Sequence, residues 1–380
     1  MVIDSVSKSI ILIALYLDNK VPGIVSEIWI GKDKIKKLKS EIPNTKGELD
    51  EVIIKTSKMI DNLTDSRRSN YLTSIMHSLK YQIDSLDEKK FSYADFSKNA
   101  FGYKIRKVKE EEIREIEKKL EELEKKTGLS RQKTFQQYSL KTSEYKTTFK
   151  KYIDQARNML PKEILDFPDK GFEFEVVTDK PWSAFNSHIA PYKSKLSLNS
   201  DVSLTKLDLY RLAFHEAYGG HHSELSSKDM LLTKDNRGEH GLVITFSPQT
   251  FISEAIAEGV FVLLGGLDEK DNDALVGWYY DRLIFALYNL ATHYYFEDGL
   301  TRNEIKKKFE KYAVSNQSIE NMLNFSTDKV FGKYAPVYYS AFNFISDLYN
   351  QTKNKKQLIK TLFTQPCNPR DLIKEFTKSI

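Results

Sequence analysis

Apolar residues recur at intervals of three and four along most of the chain, which predicts a mostly α-helical protein. The predicted helices of the first half cover approximately residues 5–17, 33–39, 47–62, 66–84, 93–101, 104–126 and 143–160. Those of the second half cover approximately residues 204–218, 251–261, 278–295 and 333–349. Between the halves, residues 172–177 and 193–199 alternate in the manner of short β-strands. We therefore expect a helical N-terminal lobe over residues 1–170 and a second lobe over residues 171–380.

Three of the chain's seven histidines lie in one octet, H-E-A-Y-G-G-H-H, which starts at His215 and ends the helical run 204–218. A helical zinc site usually has the pattern H-E-x-x-H, in which both histidines share one helix face. Here His221 follows at the sixth position and His222 at the seventh, so a straight helix brings neither of them close to His215. Gly219 and Gly220 can relieve this misfit, because glycine adopts conformations closed to other residues. We expect a helical bulge that turns His221 towards His215, with His222 as the alternative ligand.

A third metal ligand is expected on the next apolar run, residues 251–261. Glu254 and Glu258 lie one turn apart on this run, and burying two carboxylates there is costly without a cation or hydrogen-bond donors. One ligating and one supporting carboxylate would satisfy this requirement. Residues 223–250 are read as a polar loop between the two helices, and His240 within it is a rival ligand.

The octet and the later F-I-S-E-A-I-A-E, starting at Phe251, resemble the domain of unknown function 885 family of gluzincin-type zinc metallopeptidases. That family carries H-E-A-Y-P-G-H-H followed by S-E-G-W-A, so Gly219 stands in place of its proline. The resemblance continues from Arg282 to Arg302 and at Ala335–Tyr339, and it covers approximately residues 180–376.

The resemblance implies a gluzincin-like helical metallopeptidase that binds Zn²⁺ through His215, His221 and Glu254. Glu216 would be the general base that activates water for peptide-bond hydrolysis. A small sheet with an edge strand would precede the zinc-binding helix and bind the peptide substrate by strand addition. We expect residues 195–199 to form this edge strand, with His188 nearby as a residue that could line the cleft.

Polar side chains on the helices 278–295 and 333–349 complete the expected cleft. On the first helix, Arg282 and His293 share a face with Asn289, which is unusual for a helix that is otherwise apolar. Arg282 would orient Glu254 or bind a substrate carboxylate, and His293 or Tyr339 would stabilise the anionic carbonyl oxygen. A buried structural ion pair is the alternative for Arg282 and His293.

Composition restricts the possible functions further. The 380 residues include 58 basic and 53 acidic ones, a balance that gives no electrostatic case for nucleic-acid binding. The single cysteine, Cys367, excludes an intramolecular disulfide and a multi-cysteine metal site. The apolar stretch 10–17 is too short to span a membrane and has no small-residue cleavage site. We expect a cytoplasmic enzyme that acts on peptides without a membrane or nucleic-acid partner. The sequence pattern does not specify the oligomeric state.

Two other functions fit parts of this pattern. A protein that binds metal but lacks activity could serve as a scaffold or interaction module. The presence of both Glu216 and a third acidic ligand argues against it. A purely structural histidine cluster would need no metal at all.

Overall fold

The computed structural model describes residues 2–86, 92–180, 182–312 and 314–377, and this part of the chain is mostly helical. Its helices are α1 (Ser5–Lys20), α2 (Lys32–Lys39), α3 (Lys46–Asp61), α4 (Ser66–Asp84), α5 (Tyr93–Ala100), α6 (Glu110–Thr127), α7 (Arg131–Gln137), α8 (Thr142–Met159), α9 (Lys206–Leu212), α10 (His221–Lys234), α11 (Pro248–Leu263), α12 (Asn272–Phe296), α13 (Arg302–Phe309), α14 (Asn316–Ser326), α15 (Pro336–Gln351), α16 (Lys355–Thr364) and α17 (Pro369–Phe376). Its strands are β1 (Val25–Ile28), β2 (Phe172–Val177), β3 (Ala184–Ala190), β4 (Lys193–Asn199) and β5 (Leu242–Ile244). The mostly helical fold expected from the periodicity is confirmed.

Helix ends follow the polar residues at the caps. Ser247 begins α11 by accepting the N–H of Thr250, and Thr301 with Glu304 forms a capping box at α13. Gly128 ends α6 in the left-handed conformation, as its position in the sequence predicted. The predicted helix 104–126 was too long at its start, because residues 102–109 are not helical.

The three-stranded sheet has the order β2-β4-β3, with β4 parallel to β2 and antiparallel to β3. The expectation that residues 195–199 form an edge strand was wrong, because β4 is paired on both sides and has no free backbone edge. The strand at the other edge from β2 is β3, which contacts α10 and β1 and which the sequence pattern missed. Of its three buried positions, Ala184 is apolar but Asn186 and His188 are polar, which hides the usual alternation of apolar and polar residues.

The segment 223–250 is not a loop throughout, because α10 and the short β5 lie within it. Most of the first residues of α10 are polar and yet buried, including Ser223, Glu224 and Lys228. A helix that buries polar side chains in a hydrogen-bonded network has no apolar stripe, so hydrophobic periodicity could not reveal it.

The main hydrophobic core contains residues from both halves of the chain, and α11 is its centre. From Pro248 to Phe261 every residue of α11 is buried, and this helix packs along α15. In addition, β1 from the first half pairs with β5 from the second. The division into lobes at residue 170 stays a prediction, although these contacts cross it. None of the helices in the described ranges is long and apolar enough to span a bilayer.

Candidate metal centre

The H-E-A-Y-G-G-H-H segment folds as an interrupted helix. After α9 the backbone forms one π-helical turn, Ala213–Ala217, and a short turn through Gly219 leads into α10, which begins at His221. Gly219 has φ +103°, a conformation that favours glycine. At Gly220 an added Cβ would lie 1.8 Å from the His215 carbonyl oxygen, so only glycine fits. The helix therefore bulges as the glycine pair predicted, and a π turn before the glycines contributes to the bulge.

This bulge brings three potential metal ligands together. The ligand atoms of His215, His221 and Glu254 all lie within 4.8 Å of one another. His215 Nε2 is 3.7 Å from Glu254 Oε2, and His221 Nε2 is 3.7 Å from Glu254 Oε1. The two imidazole rings are nearly perpendicular, with centroids 4.8 Å apart. Two nitrogens and one carboxylate oxygen facing a common point are the donor set of a catalytic zinc site.

Polar contacts behind each imidazole fix its orientation. His215 Nδ1 is 3.1 Å from Glu258 Oε1, a charge contact without the alignment of a full hydrogen bond. His221 Nδ1 is 3.0 Å from the Ser253 hydroxyl, which in turn donates to Glu224. In both rings Nδ1 is occupied by a neighbour, so Nε2 faces the other ligands. Partners of this kind commonly orient metal-binding histidines.

The side chains at the centre shift one another's pKa values. Burial lowers the pKa of His215, but the charges of Glu216, Glu258 and Glu254 outweigh it and raise the pKa to about 9. Burial together with the charge of His215 holds the pKa of His221 well below its ordinary value. Burial also raises the pKa of Glu254 to about 7. Glu254 Oε2 is buried and has no hydrogen-bond donor among the described residues. A divalent cation would balance the carboxylates and contact this oxygen, so the residues fit Zn²⁺.

Glu216 lies beside the three ligands on the π turn. Its Oε1 is 4.0 Å from His215 Nε2, and its side chain is buried. Burial raises the pKa of Glu216, against the opposing charges of His215 and Arg211. The Asn186 backbone N–H also opposes this rise in pKa, because it points towards the Glu216 carboxylate. The Asn186 side chain donates to the Glu216 carbonyl oxygen and thereby ties β3 to the π turn.

Two tyrosines of the segment 331–351 face the centre, and neither is the predicted Tyr339. The Tyr334 hydroxyl donates to Glu254 Oε1 at 2.7 Å. Burial and then the charge of Glu254 raise the pKa of Tyr338, and its ring centroid is 5.6 Å from that of Tyr334. The Tyr338 hydroxyl has no hydrogen-bond partner in the described part of the chain. The Tyr339 hydroxyl instead points towards Glu112 of α6, 3.4 Å away.

Two arginines lie behind the centre. Arg211, which the sequence reasoning missed, is 3.5 Å from Glu258 Oε1 and also contacts Asp281. Its position one helical turn before His215 was the available signal. Arg282 packs 4.1 Å from the Phe342 ring centroid and donates to the Tyr339 carbonyl oxygen. Burial lowers the pKa of Arg282 to about 10, and the charge of Glu258 opposes this. Arg282 therefore packs against α15, and in the described part of the chain it forms no ion pair with Glu254, the contact that was expected.

His222 and His188 belong to a separate buried network. His222 Nδ1 is 2.9 Å from the Ser194 hydroxyl and its Nε2 is 3.3 Å from Asp169. His188 contacts the same hydroxyl, and its Nε2 is 2.7 Å from Asp229. Because both nitrogens of each ring are engaged here, His222 does not fit the role of alternative ligand and His188 does not line the cleft.

The remaining candidate histidines also lie elsewhere. His293 Nδ1 donates to the Asn289 carbonyl oxygen at 2.9 Å, and its ring packs edge-on against Tyr93. His240 is buried and stacks on Tyr71, with ring centroids 5.6 Å apart. The contacts of His293 place it with α5, where it cannot hold a carbonyl oxygen at the metal centre. These positions depend on tertiary packing, which a lone histidine in a sequence does not reveal.

Comparisons with known proteins support the fold alone. No protein-family model matches the chain, and no curated protein is significantly similar to it. Among solved structures, a putative lipoprotein from Colwellia psychrerythraea matches with a TM-score of 0.57 and 13% identity, over 86% of this chain and 65% of that one. A putative lipoprotein of unknown function from Shewanella oneidensis matches with a TM-score of 0.52 and 13% identity, over 84% of this chain and 68% of that one. The chain therefore spans about two thirds of the length of each neighbour, and its fold is similar to theirs.

Proposed function

We propose that this protein is a zinc-dependent peptidase of the gluzincin type. The observation that carries the proposal is the convergence of His215, His221 and Glu254 within 4.8 Å, with the carboxylate of Glu216 alongside. Zinc held by these three side chains would supply Lewis-acid chemistry, which makes water more acidic and polarises a substrate carbonyl. The two structural neighbours are named as lipoproteins, so the cytoplasmic placement stays a prediction.

In the proposed reaction the protein's own residues handle the proton and the developing charge. Glu216 removes a proton from the attacking water and delivers it to the leaving amine, a role that its buried and raised-pKa carboxyl group suits. The free hydroxyl of Tyr338 donates to the carbonyl oxygen as that oxygen becomes anionic. Tyr338 takes this role in place of Tyr339 and His293, whose contacts lie elsewhere. Glu258 and Arg211 hold His215 in place.

The peptide substrate is proposed to bind along β3. The Asn199 N–H donates to the Ser183 carbonyl oxygen, so the odd-numbered residues of this strand face β4. The even-numbered residues Ala184 and Asn186 then present their backbone N–H and C=O groups to the outer edge. Because the Asn186 side chain also contacts the Glu216 backbone, this edge runs beside the proposed base. A peptide added as an extra strand would present its carbonyl groups at the centre.

Metal content and peptide hydrolysis, measured together, test the proposal. Protein purified with zinc is expected to hold one zinc ion per chain, and hydrolysis of a peptide library should stop on chelation and return with zinc. Glu216→Gln is expected to keep the zinc and reduce kcat by at least about 100-fold. Glu175→Gln, on the exposed face of β2, is the matched control and should leave both unchanged.

The same measurements separate the other functions. Zinc binding without hydrolysis of any library peptide would favour an inactive scaffold. Absence of zinc from protein prepared with excess metal would favour a structural histidine cluster and sink the proposal.

A further inference from the structure

Glu27 of β1 lies across the outer edge of β3. Its Oε2 accepts the backbone N–H of His188 at 2.9 Å, and that N–H points away from β4. Its Oε1 is buried and accepts no well-aligned hydrogen bond within the described residues, and the nearby Ser187 hydroxyl only partly offsets the rise in the pKa of Glu27. The proposed metal centre does not use this carboxylate.

Glu27 also lacks a positive partner. No basic side chain in the described ranges forms an ion pair with it. Burial raises the pKa of Glu27 to about 8, the His188 N–H opposes this rise, and the charge of Glu216 adds to it. Glu27 contacts β3 at His188 and the Glu216 backbone contacts it at Asn186, so both acidic residues lie along this strand. Burying a carboxylate whose oxygen accepts no hydrogen bond costs free energy, and a bound cation removes that cost.

The position of Glu27 along β3 suggests which cation this is. The outward N–H of Ala184 has no partner among the described residues, that of Asn186 points towards the Glu216 carboxylate, and that of His188 is taken by Glu27. An added strand would pair with Ala184 and compete with Glu216 for the N–H of Asn186. The free edge therefore ends at Glu27. A peptide that pairs antiparallel with β3 runs in the opposite direction, so its N-terminus points towards the His188 end. A parallel peptide would bring its C-terminal carboxylate towards Glu27, where like charges repel.

We propose that Glu27 binds the α-ammonium group of the substrate, so that the protein acts as an aminopeptidase on peptides with free N-termini. This inference rests on the peptidase activity proposed above and specifies its substrate class. Because the edge offers only Ala184 and Asn186 before Glu27, few residues fit between the ammonium group and the bond that is cut. The product is a single residue or a very short peptide from the N-terminus.

The test compares one peptide in three forms with zinc-loaded protein: free at both ends, N-acetylated, and C-terminally amidated. Acetylation is expected to reduce kcat/KM at least 100-fold, whereas amidation should change it less than threefold. Glu27→Gln should bring the free peptide down to the acetylated level and leave the acetylated peptide unaffected. Glu173→Gln on β2, at the opposite edge of the sheet, is the matched control.

Equal cleavage of the free and acetylated peptides would overturn the inference and leave the peptidase proposal standing. If none of the peptides is cut, the peptidase proposal fails and binding decides the inference. For that purpose, Kd for the free and acetylated peptides is measured by fluorescence anisotropy on the Glu216→Gln variant. A preference of at least tenfold for the free form supports the ammonium site, and equal Kd values refute it. The acetylation arm needs no variant of Glu27, so it holds even if Glu27→Gln fails to fold.

Discussion

Replacing Gly220 with alanine should disrupt the candidate metal centre without removing any ligand. The new Cβ would lie 1.8 Å from the His215 carbonyl oxygen and 2.5 Å from the Phe214 carbonyl oxygen. Both obstacles are backbone atoms, so a change of side-chain rotamer cannot relieve the contact. To reach even about 3.0 Å, the shortest distance that such atoms tolerate, the π turn and the start of α10 must separate by roughly 1.2 Å.

Such a displacement is large for a metal site. Ligand distances in metal sites hold to within about 0.2 Å, and His215 and His221 lie on the two segments that must separate. We therefore expect Gly220→Ala to weaken zinc binding by at least about 100-fold, comparable with the larger losses from altered ligand support. Overpacking should also lower the free energy of unfolding of the metal-free protein by about 1–3 kcal/mol.

The assay is competition for zinc against a chromophoric chelator, together with urea unfolding in the presence of chelator. Gly47→Ala is the matched control, because nothing lies within 4 Å of an added Cβ there. Gly219→Ala should be intermediate, since its Cβ contacts are ordinary but its φ of +103° strains an alanine. Wild-type zinc affinity in a folded Gly220→Ala variant would refute the reasoning from the bulge.

Three further predictions follow from the site and its surroundings. Tyr338→Phe should lower kcat about 100-fold with little change in KM. Steady-state kinetics checks this, with Tyr339→Phe as the control, whose kcat should stay within threefold of wild type. His222→Asn should keep zinc affinity within threefold but lower the free energy of unfolding by about 1–3 kcal/mol, because the buried network loses a partner; loss of zinc would instead make His222 a ligand. The pKa of Glu27 is about 8 in the fold against an ordinary 4.5, so the folded protein binds the extra proton and stability falls as pH rises through this window. Glu27→Gln should remove that fall and be more stable than wild type at pH ~8 by up to about 5 kcal/mol. Urea unfolding with chelator at pH ~5, ~6.5 and ~8 measures the free energy of unfolding of both proteins. A difference between them that is the same at every pH contradicts the buried carboxylate.

The sequence alone determined the helical fold and the residues that converge. Apolar spacing at three and four identified the helices because most of them bury one face against the core. The glycine pair predicted a bulge because local backbone freedom is written in the residue type. Two acids on an apolar run predicted a shared cation because their burial is costly wherever the helix lies.

Only the tertiary structure decided which side chains face the centre and which strand is free. Tyr338 and Tyr339 are adjacent in sequence. The packing of α15 against α11 and α12 determines which of them lies beside Tyr334, the donor to Glu254, and which approaches Glu112. The edge position of β3 depends on strand order, which alternation within one strand cannot specify. Polar residues buried in α10 gave no apolar signal, because their burial is stabilised by partners that are distant in the sequence.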